Sequence, residues 1–238
     1  MEAVSVPESS PASSLVAIRA KIEAAARSAG REDVPELVAV SKFQPLEKLR
    51  ALYDQGQRVF GENYVQELIE KKKAFEAAGI SDVDFQFIGH LQTNKVKLLL
   101  PFVDTIHSVD SFRLLDEIAS RATALRKSVR VYFQINVDQE VSKGGFSEAD
   151  LPALAQHFTD CSKARSTSLI PMGLMCIPDP EKDPRGAFLR MRAWSSRWKE
   201  PLGGGLSMGM SDDFPLAIEC GSTVVRIGSA LFGTRRTV

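Results

Sequence analysis

Apolar and polar positions along the chain follow two spacings, one typical of helices and one typical of strands. Residues 15–29 carry apolar side chains every three or four positions, with Ser13 or Ser14 available as the N-cap and Gly30 at the end, which predicts a first helix. Beyond this helix, short apolar runs of strand length are each followed by a segment with helical spacing. We predict eight strands, at residues 36–41, 58–60, 85–89, 102–107, 129–137, 168–176, 205–207 and 223–227.

This alternation indicates the fold class. Strands that alternate with helices form a parallel sheet, and eight such units in about 250 residues are typical of a (β/α)8 barrel. An open, doubly wound sheet is the alternative, because periodicity does not show whether a sheet closes. The number of strands and the length of 238 residues favour the barrel. We therefore expect an α/β protein that forms a single (β/α)8 TIM barrel with one extra N-terminal helix.

Composition narrows the class of partner. A hydrophobic content of 44%, a charged content of 25% and a mean hydropathy of -0.10 are those of a globular protein. No apolar run approaches the roughly 20 residues that a transmembrane helix needs. The 30 basic residues balance the 30 acidic ones, and this zero net charge argues against binding to nucleic acid or to an anionic membrane. A small molecule is the partner that the composition favours.

The cysteines and the N-terminus bear on location and domain organisation. Three cysteines without a CxxC pair argue against a disulfide framework and against a thiolate zinc site, and they fit the reducing cytoplasm. Residues 1–14 are rich in Ser and Pro and have neither the basic nor the apolar region of a secretory signal, so we expect a disordered tail. Residues 15–238 are then expected to form one domain.

Lys42 is the first candidate for chemistry. Active sites of such barrels lie at the C-terminal ends of the strands, and Lys42 ends the first strand. By period-two alternation it points to the same side as Val38 and Val40, which is expected to be the barrel interior. A desolvated lysine has a lowered pKa and can attack an aldehyde as an amine nucleophile. The alternative is a lysine whose ammonium reaches solvent at the rim.

The strand at residues 129–138 alternates strictly between apolar and polar side chains. If the apolar set packs against the helices, the polar set, which begins with Arg130 and Tyr132, faces the barrel interior. Polar groups in that position need hydrogen-bond partners, so we expect them to line a ligand site. An edge strand with one face in water is the alternative if the barrel does not close.

Two glycine-rich stretches flank the last two strands, at residues 203–211 and 224–229. Barrels commonly bind phosphate there, through backbone N–H groups and the start of a short helix. Gly228 permits close approach of an anion, Ser211 and Ser229 offer hydroxyl donors, and Arg226 supplies a permanent charge. Each stretch alone is more often a turn. Together with a reactive lysine they indicate either pyridoxal 5'-phosphate (PLP) or the sugar phosphate of a Schiff-base aldolase.

Two other features of the sequence have less bearing on function. His90, His107 and His157 share no ligand spacing with acidic neighbours, so no metal site is expected. The run at residues 71–73, three lysines, is expected to be a solvated face of a helix on which Glu67 and Lys71 pair at i,i+4.

Five segments resemble the YggS/PROSC family of pyridoxal phosphate homeostasis proteins, and they occur in order from about residue 15 to the end. The segments are AVSK (39–42), FGENYVQE (60–67), FIGHLQTNK (87–95), SMGMSDD (207–213) and GSTVVRIGSALFG (221–233). The resemblance implies a barrel like the N-terminal domain of alanine racemase, with PLP held as an internal aldimine on Lys42. It also implies that Ser211, Gly228 and Ser229 bind the phosphate and that Arg226 faces the pyridine nitrogen.

The resemblance assigns two further positions, and the chain departs from the family pattern at a third. Asn63 would lie beside the cofactor ring, and Met175 falls where the racemase has a ring-stacking histidine. Gln86 is a departure, since many relatives have His there. A cation at the pyridine nitrogen disfavours protonation of that nitrogen, so the ring becomes a weaker electron sink and carbanion chemistry would be slow.

Three functions are weighed. The resemblance favours a PLP-binding protein of intracellular PLP homeostasis with little or no turnover, a monomer or weak dimer that contacts PLP-dependent apo-enzymes transiently. An amino-acid racemase would need a second acid/base, which racemases take from another domain, and 238 residues leave no room for one; Tyr53, Tyr64 and Tyr132 are the tyrosines of this chain. A Schiff-base aldolase is the third.

Overall fold

Eight parallel strands close into one barrel in which each strand pairs with the next and the last pairs with the first. The computed structural model describes residues 11–140, 143–165 and 169–233. The predicted α/β barrel is confirmed, and the strand bounds shift by a few residues. The strands are β1 Glu36–Val40, β2 Val59–Glu62, β3 Asp84–Phe87, β4 Thr105–Val109, β5 Val129–Gln134, β6 Leu169–Met175, β7 Gly205–Ser207 and β8 Val224–Ile227.

Helices connect successive strands around the outside of the barrel. They are α1 Pro11–Ser28, α2 Leu46–Asp54, α3 Val65–Ala77, α4 Val96–Leu99, α5 Phe112–Leu125, α6 Leu151–Arg165, α7 Pro184–Arg197, α8 Lys199–Leu202, α9 Phe214–Glu219 and α10 Ser229–Phe232. Short 3-10 turns precede two of them, at Thr93–Lys95 and Glu148–Asp150. No helix within the described ranges is both long and apolar enough to cross a membrane.

The extra N-terminal helix is present, and it starts earlier than expected. α1 begins at Pro11, so residues 11–14, which the sequence assigned to a tail, are helical, while residues 1–10 lie outside the described residues. Gly30 follows the helix with a φ of 67°, as its predicted position at the helix end requires. The division into a tail of residues 1–14 and a domain of residues 15–238 stays a prediction.

Apolar side chains pack on both sides of the strands, outside the barrel and inside it, and β1 contributes to both sides. Leu37 and Ala39 belong to the large core between the strands and the helices, whereas Val38 belongs to a small cluster inside the barrel. β5 behaves in the same way: its apolar set lies in the outer core, and Tyr132 lies inside. The predicted inward direction of the polar set on β5 is therefore confirmed for Tyr132, because the barrel closes and leaves no edge.

Candidate functional site

The seven predicted site residues lie on one arc of one barrel face. They stand at or just beyond the C-terminal ends of β6, β7, β8, β1 and β2, which are neighbours in the closed sheet. The structure thereby brings together residues that are far apart in sequence, in the order Met175, Ser211, Arg226, Gly228, Ser229, Lys42 and Asn63.

Lys42 is half-buried in a turn that follows β1. The strand ends at Val40, two residues before Lys42, so the inward direction of the Lys42 side chain stays a prediction. The next residue, Phe43, adopts a φ of 60°, in the left-handed region that a bulky side chain rarely occupies. Its exposed ring packs against Tyr64 with the ring centroids 5.0 Å apart. The chain therefore turns directly after Lys42.

A buried group of charges holds the backbone on both sides of Lys42. The Nζ of Lys71 donates to the carbonyl of Ser41 at 2.6 Å, to Glu62 at 2.7 Å and to Glu67 at 2.7 Å. The Ser41 hydroxyl donates to Glu62 at 2.6 Å, and the N–H of Phe43 donates to Glu67 at 2.6 Å. The peptide groups before and after Lys42 are thus both anchored to α3, and the Ser41 side chain is anchored to β2.

This group corrects the expectation that residues 71–73 form a solvated face. Lys71 pairs with Glu67 at i,i+4 as predicted, yet it is buried, and its second carboxylate partner, Glu62, is fully enclosed. Burial raises the pKa of Glu62, and the Lys71 ammonium opposes this shift. An enclosed carboxylate of this kind needs the neighbouring cation.

Arg226 is buried and crosses three strands at the base of the site. One guanidinium nitrogen donates to the backbone carbonyl and to the hydroxyl of Ser207, at 2.6 and 2.7 Å, and another donates to the carbonyl of Cys176 at 2.9 Å. Burial lowers the pKa of Arg226, although a guanidinium stays charged. These contacts place a fixed positive charge where β6, β7 and β8 end.

A chain of buried hydrogen bonds runs from Arg226 down through the barrel interior. His107 Nδ1 lies 2.8 Å from the hydroxyl of Ser207, His107 Nε2 lies 2.7 Å from Gln86 Oε1, and the Gln86 amide donates to Asp84 at 2.9 Å. Because the carboxylate of Asp84 can only accept, the Gln86 amide must turn its oxygen to His107, which then carries its proton on Nε2 and accepts from Ser207.

Burial and the nearby Arg226 charge lower the pKa of His107 well below its usual value, which agrees with a neutral ring. Its ring stacks on Tyr132 with centroids 4.6 Å apart. Sequence reasoning missed His107 and Ser207 as parts of the site. The available signal was their place in predicted strands, where a polar residue facing the interior must find a partner.

The two glycine-rich loops meet. The hydroxyl of Ser211, beyond β7, accepts from the backbone N–H of Ala230 at 3.3 Å, and Gly228 and Ser229 directly precede Ala230. Gly228 lies against β1, since a Cβ there would come within 3.4 Å of the carbonyl oxygen of Val40. Ser211, Gly228 and Ser229 therefore lie close together at one corner of the barrel mouth, next to the turn that carries Lys42.

Asn63 follows β2, with its side-chain oxygen buried and without a hydrogen-bond partner within the described parts of the chain. The loop after β3 presses on its backbone: a Cβ on Gly89 would lie 2.2 Å from the Asn63 carbonyl oxygen, so only glycine fits. Met175 is fully buried in the cluster inside the barrel that also holds Val38 and Tyr132. An unpartnered buried amide oxygen is unfavourable unless a ligand completes it.

Comparison with known proteins assigns the family. Residues 13–236 match the family described as alanine racemase, N-terminal domain. The chain is 38% identical over 232 residues to the pyridoxal phosphate homeostasis protein of Escherichia coli K12, which covers 94% of this chain and 96% of that protein. The chain belongs to the family of pyridoxal phosphate homeostasis proteins. The resemblance stated from the five sequence segments is thus confirmed.

Solved structures agree with this family assignment. PipY of Synechococcus elongatus PCC7942, solved with PLP bound, superposes with a TM-score of 0.77 at 30% identity, covering 94% of this chain and 100% of that one. The alanine racemase of Corynebacterium glutamicum superposes with a TM-score of 0.60 at 17% identity, covering 94% of this chain and 62% of that one. At that identity the racemase supports the shared barrel fold only.

Proposed function

We propose that this protein binds PLP at the barrel mouth and serves intracellular PLP homeostasis, with little or no turnover of its own. The observation that carries the proposal is the convergence of Lys42, Arg226 and the corner made by Ser211, Gly228 and Ser229 on the three neighbouring strand ends of β7, β8 and β1. The name of the Escherichia coli relative and the PLP-bound PipY structure support the same ligand.

The residues present fit this cofactor. PLP supplies an aldehyde that condenses with a primary amine, and its other end is a phosphate. Lys42 offers the amine, the Ser211–Ser229 corner offers hydroxyl and backbone N–H groups, and Asn63 offers a buried amide oxygen that has no partner in the described chain. We assign Lys42 to covalent attachment, and Ser211, Gly228 and Ser229 to the phosphate.

Arg226 and Met175 are assigned to the ring. Arg226 stands opposite the pyridine nitrogen in this proposal, and Met175 packs against one ring face. The Arg226 guanidinium, held by Ser207 and Cys176, is far less acidic than a pyridinium, so it would not protonate that nitrogen and would keep the ring a weak electron sink. This electrostatic environment would make carbanion chemistry slow, which favours binding over turnover.

The racemase alternative requires a second acid or base on the opposite side of the ring. Tyr53 donates to Asp82 at 2.7 Å on another part of the molecule, and burial raises the pKa of Tyr132 to about 12, so that Tyr132 keeps its proton. Tyr64 directly follows Asn63 at the barrel mouth, where its exposed ring packs against Phe43. No observation within the described residues favours racemisation over binding.

The test is visible absorbance. Purified protein given PLP is expected to absorb above 400 nm as a protonated Schiff base does, at about one equivalent per chain, and Lys42→Ala should lose this band while retaining its fold by circular dichroism. Lys73→Ala, on the exposed side of α3, is the matched control and should keep the band. A wild-type protein that takes up no PLP would overturn the proposal. Turnover of L- or D-alanine at ordinary enzyme rates would overturn the claim of little turnover.

We further propose a cytoplasmic location and transient delivery of PLP to apo-enzymes by a monomer or weak dimer. The three cysteines are all buried and form no disulfide with one another, which suits a reducing compartment. Reactivation of an apo-transaminase by PLP-loaded protein, measured against the same concentration of free PLP, tests the delivery. Sedimentation at several concentrations tests the oligomeric state.

A further inference from the structure

Three side chains with different metal-binding atoms meet on the outer surface of the barrel, on two neighbouring helices. Asp116 lies in the first half of α5, and His157 and Cys161 lie one turn apart on α6. Oδ1 of Asp116 is 3.2 Å from Nε2 of His157 and 3.2 Å from Sγ of Cys161. One potential ligand atom from each residue lies within 4.8 Å of the other two.

These distances are close to those around a bound zinc ion. Zinc bonds of about 2.0 Å to oxygen and nitrogen and about 2.3 Å to sulfur place neighbouring tetrahedral ligands roughly 3.3 to 3.6 Å apart. The distances from Asp116 to His157 and from Asp116 to Cys161 already have nearly that length. The third distance, between His157 and Cys161, is at most 4.8 Å and would shorten to this length around a central ion.

The chemistry of the three atoms narrows the choice of ion. A thiolate, an imidazole and a carboxylate are ligands that zinc accepts together, whereas magnesium and calcium take oxygen ligands almost alone. The His157–Cys161 spacing of four residues places both side chains on one helix face, and the ring of Phe112 packs edge-on to His157 at 5.0 Å, which restricts the imidazole orientation.

Solvent can reach the cluster. The side chains of His157 and Asp116 are 33% and 40% exposed, while Cys161 is nearly buried beneath them. An ion can therefore enter from outside without unfolding either helix. Three protein ligands leave a fourth tetrahedral position on the solvent side, as in zinc sites that bind water or an exogenous ligand.

We propose that Asp116, His157 and Cys161 form a surface zinc site that joins α5 and α6, with its fourth position open to water. On binding, the Cys161 thiol loses its proton to solvent as the sulfur–zinc bond forms, and no electron is transferred. The site does not depend on the cofactor proposal, because none of the three residues belongs to the barrel mouth. Sequence reasoning missed it because Asp116 lies 41 residues before His157 and becomes its neighbour only through packing of the helices.

Cobalt substitution provides the test. Tag-free, full-length protein, stripped with a chelator and kept in a phosphine reductant, is titrated with Co²⁺ and then with Zn²⁺. We expect one equivalent to bind, with the visible bands of a four-coordinate ion and a near-ultraviolet sulfur-to-cobalt band, and Zn²⁺ should displace it. Cys161→Ser should abolish the sulfur band, and His157→Gln or Asp116→Asn should weaken binding at least tenfold.

Two matched control variants each remove a residue of the same type as one of the proposed zinc ligands. Cys220→Ser removes another buried cysteine, and His90→Gln removes a histidine that contacts a carboxylate, Asp110, at 3.1 Å. Both should bind Co²⁺ as the wild type does. The proposal is overturned if the wild type shows no sulfur-to-cobalt band, if that band survives in Cys161→Ser, or if His157→Gln binds as tightly as His90→Gln.

Discussion

The Nζ of Lys71 lies 2.6 Å from the carbonyl oxygen of Ser41, the residue that directly precedes Lys42. The same nitrogen contacts Glu62 and Glu67, and Glu67 in turn accepts from the residue after Lys42. A buried ammonium on α3 therefore determines the position of the turn that carries the proposed PLP lysine. The placement of one lysine depends on another.

Lys71→Met is expected to destabilise the protein by about 3 kcal/mol, because it leaves the enclosed carboxylate of Glu62 without its cation. Urea unfolding of the protein without ligand measures this change. Lys73→Met, two positions along the same helix and exposed, should stay within about 0.5 kcal/mol of wild type. Equal stabilities for the two variants would contradict the role given to Lys71.

The pH dependence of stability should report on His107. Its pKa in the folded protein is well below 6.5, so below about pH 6.5 the unfolded chain binds a proton that the folded chain does not. The free energy of unfolding should therefore fall as pH drops, by about 1.4 kcal/mol per unit for this group, and the effect should vanish above about pH 7.5.

His107→Gln removes this proton uptake. The difference in unfolding free energy between wild type and variant should be constant above about pH 7.5 and shrink by about 1.4 kcal/mol between about pH 6 and pH 5. Urea titrations at four pH values provide the difference curve. A difference that does not change with pH would show that His107 titrates alike in both states.

Part of this arrangement could be predicted from the sequence, and β5 is the example. Successive side chains of a strand point to opposite faces, so strict alternation of apolar and polar residues identifies its inward face. Lys71 was misjudged for the opposite reason. Residues two apart on a helix point about 200° apart, so a run of three lysines cannot share one face, and Lys71 stands three positions after Leu68 and four before Phe75, both buried.

Contacts between distant residues could not be predicted from periodicity. Periodicity shows which face of an element a side chain occupies, but it does not show which other residue that side chain contacts. The hydrogen bond between His107 and Ser207 joins positions 100 residues apart, and only the closure of the barrel brings them together. Alternation also says nothing about Lys42 once the strand has stopped at Val40 and a turn has begun.

Gly89→Ala should disturb the site by steric overlap between the new methyl group and the backbone of Asn63. The added methyl would come within 2.2 Å of the Asn63 carbonyl oxygen and 2.6 Å of its Cα, so the backbone after β2 must move. We expect a loss of about 1 to 3 kcal/mol in stability together with weaker PLP binding. Urea unfolding and titration with PLP measure the two effects.

Gly186→Ala is the control for this change. It lies in α7, where the nearest atom to a new Cβ is the flexible end of Arg190 at 3.6 Å, and alanine there should be neutral or stabilise by up to about 1 kcal/mol. If Gly89→Ala were as stable as Gly186→Ala, the close approach between the two loops would not constrain Asn63.

Ser211→Ala should reveal whether the corner beside α10 recognises phosphate. The substitution removes a hydroxyl that accepts from the Ala230 N–H and that, in the proposed function, donates to the phosphate of PLP. A hydrogen bond to a charged group contributes about 1.5 to 3 kcal/mol, so the Kd for PLP should rise roughly tenfold or more.

Pyridoxal, which has the same aldehyde and no phosphate, should bind wild type and variant within about twofold of each other. Ser196→Ala, on the exposed side of α7, should leave both affinities unchanged. An equal loss for PLP and pyridoxal would place the defect in the ring or the Lys42 turn, and no loss for either would remove Ser211 from the phosphate site.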